Sequence, residues 1–230
     1  MNRTFWAGLL SLALSFSASA ALYTYNFESG FQNGGIVPDG SADGWTDTRT
    51  ISVIDTVMED VNISFTLSGG ANGDLRAYLS HGGVLVPLLN RVGTGSGDTV
   101  QQNFGFSTAG FSNVRLDDAG SGGSIHDVAV PGSATTISYT PDGGSLSAFN
   151  GQNPSGTWTL FFADMANEGG TGPSVMGNWS LEITAVPEPV NVALGGFAGV
   201  FTLVAISRTR VVRRRIRRWY GAFNDWVDAV

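Results

Sequence analysis

The sequence predicts an all-β sandwich or barrel between two terminal apolar segments. Two observations predict the β class. Apolar residues alternate with polar ones over several short runs in residues 51–183, and glycine-rich turn signals separate those runs. A third observation, a short apolar stretch at each end, sets the central domain apart from its flanks.

Residues 1–21 read as a secretory signal peptide. Arg3 precedes the apolar run Phe5 to Leu14, and Ala18-Ser19-Ala20 forms a small-residue cleavage site, with Ala21 as the expected first mature residue. The segment Leu22–Arg49 is expected to supply an N-terminal edge strand, followed by a strand over Ile51–Val57. Val61, Ile63, Phe65 and Leu67 then share one strand face. Leu75, Ala77 and Leu79 share a second, Trp158, Leu160 and Phe162 a third, and Trp179, Leu181 and Ile183 a fourth. Further strands are predicted at Val84–Leu89 and Thr135–Tyr139. The runs Gly69 to Gly73, His81-Gly82-Gly83, Pro141 to Gly144 and Asn153 to Gly156 mark turns. No helix is predicted before residue 190. The sandwich is expected over residues 22–185.

Charge is unevenly placed. The chain has 230 residues and no lysine or cysteine. From Leu22 to Thr184 four arginines stand against sixteen acids, a net charge near −12, whereas seven arginines crowd into 208–218. An acidic centre disfavours nucleic acid, since phosphate affinity needs a basic footprint. The missing cysteines exclude disulfides and thiolate metal sites.

The C-terminal end has three parts. Val186-Pro187-Glu188-Pro189 stops the last strand, because neither proline continues a ladder or a helix interior. Val190 to Ile206 carries no formal charge and reads as a single transmembrane helix, roughly 25 Å long, the lower limit for a bilayer core. Arg208, Arg210, Arg213, Arg214, Arg215, Arg217 and Arg218 then form a stop-transfer cluster expected to stay cytoplasmic. Residues 219–230 follow as a cytoplasmic tail in which Trp219, Phe223 and Trp226 keep helical spacing. This order, over 186–218, resembles the PEP-CTERM sorting signal of Gram-negative bacteria, with Pro187, Glu188 and Pro189 as the sorting motif. The resemblance implies recognition by an exosortase, transient residence in the inner membrane after signal peptidase has acted, and delivery to the cell surface or extracellular matrix.

The central domain carries a second resemblance. Gly73-Asp74-Leu75-Arg76-Ala77-Tyr78-Leu79-Ser80, Leu116-Asp117-Asp118, the run Leu146 to Leu160, Ala163-Asp164 and Asn178-Trp179-Ser180-Leu181 resemble the P domain (P/Homo B) of proprotein convertases. The resemblance covers about residues 50–184 and implies a jelly-roll β-sandwich. In that family the domain accompanies a subtilisin-like protease. The stretch from Ala21 to the sandwich is too short to hold one, so the domain is expected to stand alone as a non-catalytic binding or structural module, with extracellular polysaccharide or a surface protein as partner. The alternative is an accessory domain acting in trans on a secreted subtilisin-like protease or other hydrolase.

Catalytic constellations are sparse. His81 and His126 are the two histidines, and neither lies in a Gly-x-Ser-x-Gly context, so both read as exposed loop residues. The adjacent acids Glu59-Asp60 and Asp117-Asp118 would point to opposite faces of a strand and make poor catalytic pairs. Calcium is the cofactor that acidic, glycine-rich loops would suit. Asp98, Asp117, Asp118 and Asp164 are the candidate ligands, being hard oxygen donors on glycine-rich loops. Equally, aspartates at such places cap turns by accepting from nearby amides.

Overall fold

The structure, a computed structural model, describes residues 19–95, 104–167, 172–208, 217 and 219, with the side chains of the C-terminal helix described over 194–205. The expected signal residues 1–18, Asp98, most of the arginine cluster and most of the tail lie outside the described residues. Residues Ser19–Pro187 form one compact unit.

Eight described strands build that unit: β1 (Ala21–Phe27), β2 (Ser41–Ile51), β3 (Val57–Ser68), β4 (Leu75–His81), β5 (Val84–Asn90), β6 (Phe111–Leu116), β7 (Gly156–Asp164) and β8 (Val175–Val186). They form two four-stranded antiparallel sheets, ordered β1-β8-β3-β6 and β2-β7-β4-β5. The pairs β4–β5, β3–β6, β2–β7 and β1–β8 are nested. The chain is thus one long antiparallel ribbon, turned at Gly82-Gly83 and wound so that β3–β8 and β4–β7 close the two sheets. That winding is the jelly-roll arrangement the resemblance implies.

Period-two patterning explains why the sheets face each other. Val61, Ile63, Phe65 and Leu67 of β3, and Leu181, Ile183 and Ala185 of β8, point inward from the first sheet and are buried. Leu75, Ala77 and Leu79 of β4 and Trp158, Leu160 and Phe162 of β7 point inward from the second. Phe65 meets Phe162 edge-on across the sandwich with centroids 5.4 Å apart, and Phe111 edge-on within its own sheet at 5.5 Å. A register shift between Thr66 and Leu67 accounts for both Met176 and Trp179 facing the core, although one has even and the other odd parity.

Several sequence expectations change. Leu22–Arg49 supplies two edge strands, β1 in one sheet and β2 in the other, where one was expected. The strand expected over Ile51–Val57 ends at Ile51; the chain then crosses between sheets before β3 begins at Val57. Thr135–Tyr139 is a turn, with Thr136 and Ile137 amides bonded back to the Ser133 carbonyl and only an isolated bridge from Tyr139 to Leu116. Alternation does not predict the strand β6. Asn113, at φ 48°, interrupts its alternation.

After β8 the chain passes through Pro187 and Glu188 into helix α1 (Pro189–Arg208). The predicted apolar segment is therefore helical. Among the described residues, however, no helix is long and apolar enough to cross a membrane.

Candidate functional site

Three of the four expected calcium ligands, Asp117, Asp118 and Asp164, accept hydrogen bonds from turn amides. Asp118 accepts from the Leu146 amide at 2.9 Å, the Ser147 amide at 2.7 Å and the Ser145 hydroxyl at 2.6 Å, and so fastens the 3₁₀ turn Leu146–Phe149 to the loop after β6. Burial pushes its carboxyl upward, but those hydrogen bonds outweigh the burial and hold it below the ordinary value. Asp117 accepts from the Ala119 amide at 2.8 Å and pairs with Arg115 at 3.6 Å. Asp164 closes β7, is 2% exposed and accepts from the Ala166 amide. Burial raises its pKa, with the nearby Asp39 adding to the shift. The described residues contain no group of three or more acidic or histidine side chains placed to hold a metal. The turn-capping alternative accounts for the positions of Asp117, Asp118 and Asp164; Asp98 lies outside the described residues.

The histidines differ from expectation. His81 is buried at the end of β4, on the same inward parity as Leu75, Ala77 and Leu79. Its ring lies 4.1 Å from that of Trp158 and within 7° of parallel. Its nitrogens face the Thr157 carbonyl at 3.0 Å and the Asn153 carbonyl at 2.8 Å. His126, three-quarters covered, directs Nδ1 to Asp142 at 2.8 Å and Nε2 to the Thr94 carbonyl at 2.9 Å. All four ring nitrogens are thus engaged with carboxylate or backbone oxygen, and none faces a serine hydroxyl as a general base would.

The His126 clamp makes stability depend on pH. Burial works to lower its pKa, but the hydrogen bond to Asp142, the Thr94 carbonyl and the charges of Asp142 and Asp127 prevail and raise it above the ordinary imidazole value. A raised folded-state pKa means that the proton binds the folded chain more tightly. The stabilisation is complete below the unfolded value of about 6.5 and is lost as pH rises through the folded value. The melting temperature is expected to fall over that window, and His126→Gln is expected to remove that part of the fall. Equal pH profiles for the two proteins would show that the pair does not contribute.

A shallow open groove of roughly 360 Å³ lies beside β6, lined by Arg115, Asp117, Ser121 and residues 134–138. Its one cation, Arg115, is already paired with Glu182 and Asp117. The groove has no charge left for an anion and no aromatic wall for a sugar.

Fold and side chains together define a jelly-roll-type β-sandwich whose two histidines, and whose loop aspartates Asp117, Asp118 and Asp164, are engaged in internal hydrogen bonds. The chain matches no protein-family model and no curated protein. Among solved structures it is similar to the serine protease of Aeromonas sobria, at 18% identity and a TM-score of 0.47, covering 73% of this chain and 27% of the protease. The complex of that protease with the chaperone ORF2 gives 19% identity, a TM-score of 0.48 and the same coverage. Dimeric latent PorU of Porphyromonas gingivalis gives 12% identity and a TM-score of 0.32, covering 79% of this chain and 14% of PorU. This chain thus spans about a quarter or less of each of those proteins, and similarity at this level assigns neither activity nor partner.

Proposed function

We propose that this chain is an exported, non-catalytic β-sandwich module that is sorted through its C-terminal tail to the cell surface or extracellular matrix, where it binds another component. The observation that carries the reading is the junction at Val186. Strand β8 is paired on both sides, with β1 as far as Ala185 and with β3 as far as Val186, and Pro187-Glu188-Pro189 begins at once. A cut beyond Val186 would remove the tail without disturbing a ladder hydrogen bond. The sandwich also begins at Ala21, the residue expected to follow signal cleavage. In this reading the C-terminal segment holds the chain at the inner membrane before processing, with the arginines on the cytoplasmic side.

The test follows the two ends of the chain in its native host by fractionation and mass spectrometry. Wild type is expected outside the cytoplasm, lacking residues 1–20 and shortened beyond Val186. Glu188→Ala is expected to remain full-length at its C-terminus and membrane-bound. Intact chain dissolved in the cytoplasm would overturn the proposal. Recovery of a secreted hydrolase as the stable partner would favour the accessory role in trans instead.

A further inference from the structure

The two outer faces of the sandwich differ in kind. Outward positions on the first sheet are mostly polar, as at Ser64, Thr66, Asn178 and Ser180, with Leu22 exposed on its edge strand, and its cation Arg115 is ion-paired with Glu182. The second sheet carries aromatic residues outside as well as inside. Cross-strand register places Thr46, Phe161, Tyr78 and Pro87 in one row across all four strands. The next row runs Thr48, Thr159, Ser80, Leu85. The Tyr78 and Phe161 rings lie 6.0 Å apart, and Thr48 and Thr159 exchange a hydroxyl hydrogen bond at 3.1 Å. Phe161 is seated over Gly44, where a Cβ would come within 2.7 Å of the ring. Leu85, on the edge strand, is 62% exposed.

Arg76 stands two residues before Tyr78 on β4, with the same outward parity. Four arginines lie in Ser19–Pro187. Arg49 is paired with Asp47, Arg91 with Asp74, and Arg115 with Asp117 and Glu182. Among the described residues Arg76 has no carboxylate partner, and its Nε is buried without a hydrogen bond. A half-buried guanidinium with an unmade bond is costly. It is odder still in a domain where acids outnumber arginines four to one. No outward position of β7, β4 or β5 carries Asp or Glu. Among the described residues the face therefore carries a cation with no carboxylate paired to it, on strands whose outward positions bear no acid; a carboxylate at its edge, Asp142, is taken up by the Asn90 amide and His126.

We propose that this face, centred on Arg76, Tyr78 and Phe161, binds a carboxylate-bearing polysaccharide, a uronate glycan. The proposal deepens, and rests on, the binding-module reading above. Aromatic faces stack against the C–H faces of sugar rings, the threonine and serine rows exchange hydrogen bonds with sugar hydroxyls, and a guanidinium takes a carboxylate in bidentate fashion. Four strands span ~14 Å, room for a short oligosaccharide. A protein partner fits less well. It would need on the order of 800 Å² with an apolar centre, whereas most of these side chains end in hydroxyls.

The experiment titrates the full chain, purified in mild detergent, with a short oligouronate and with its carboxyl-reduced, neutral counterpart. The oligouronate is expected to bind about tenfold more tightly than the neutral sugar. Arg76→Gln is expected to abolish that preference while leaving neutral-sugar affinity and the melting temperature in place. Tyr78→Ala is expected to weaken both sugars. Absence of binding by wild type, or an unchanged preference in Arg76→Gln, overturns the proposal. So would a peptide ligand that displaces the sugar from wild type and Arg76→Gln alike. Because the titration uses purified chain, its failure leaves the export result standing, and an export failure leaves the titration readable.

Discussion

Trp158→Ala is expected to destabilise the sandwich by about 3–5 kcal/mol. The indole is fully buried at the start of β7, and three neighbours depend on it. Its N–H donates to the Pro154 carbonyl at 3.0 Å, Phe149 packs at 5.1 Å, and His81 stacks on its face. Truncation leaves a cavity, uncovers the His81 ring and strips the Pro154 carbonyl of its donor. Domains of this size are stable by about 5–15 kcal/mol, so the loss takes up a large share of the total. Urea unfolding followed by far-ultraviolet circular dichroism reads it directly. Leu85→Ala, on an exposed side chain, serves as the comparison and should stay within about 0.5 kcal/mol. A Trp158→Ala midpoint indistinguishable from that of Leu85→Ala would mean that the stack is not part of the stabilising core.

The strands that could be read from sequence are those with one buried and one wet face. In β3, β4, β7 and β8 every second residue must leave water, and that requirement is written as alternation. The segments where alternation misleads break the rule locally. In β6, Asn113 takes a positive φ and spoils the period. Thr135–Tyr139 is rich in β-branched and aromatic residues, yet it is held by turn hydrogen bonds to Ser133, so local chemistry overrides propensity. Between Ile51 and Val57 the apolar alternation continues through Val53, while the backbone leaves one sheet for the other. Periodicity reports burial, and burial persists through such a crossing.

The site residues were less legible for a related reason. An aspartate in a glycine-rich loop is a candidate ligand until its acceptors are assigned, and Asp118 is assigned only when Ser145, Leu146 and Ser147 are brought to it from 27 or more positions away. His81 could have been placed correctly. The parity that buries Leu75, Ala77 and Leu79 extends to it, and the Gly-Gly turn that follows obscured the fact. Arg76 lies within a motif that resembles the P domain, but its lack of a carboxylate partner among the described residues is legible only in three dimensions. A sequence shows which charges are present and not which remain unpaired.

Asp47→Ala is expected to cost about 2–4 kcal/mol, and most of that cost should reside in one orphaned donor. Asp47 lies on β2, an edge of the second sheet, and is 7% exposed. It accepts the indole N–H of Trp179, on β8 of the first sheet, at 2.7 Å and the Arg49 Nε at 2.7 Å. Arg49 in turn donates to the Ser29 carbonyl and covers the rings of Phe27 and Phe31 at 5.1 and 5.5 Å. One carboxylate thus joins the two sheets on the side where both end in an edge strand. Removing it leaves Arg49 with access to solvent but leaves the Trp179 N–H, 1% exposed, with no acceptor. The consequence is a specific double-mutant result. In a Trp179→Phe background the donor is already gone, so Asp47→Ala should cost about 1–3 kcal/mol less than in wild type. If the cost is the same in both backgrounds, the carboxylate acts through Arg49 alone, and the inter-sheet hydrogen bond is not what holds that edge closed.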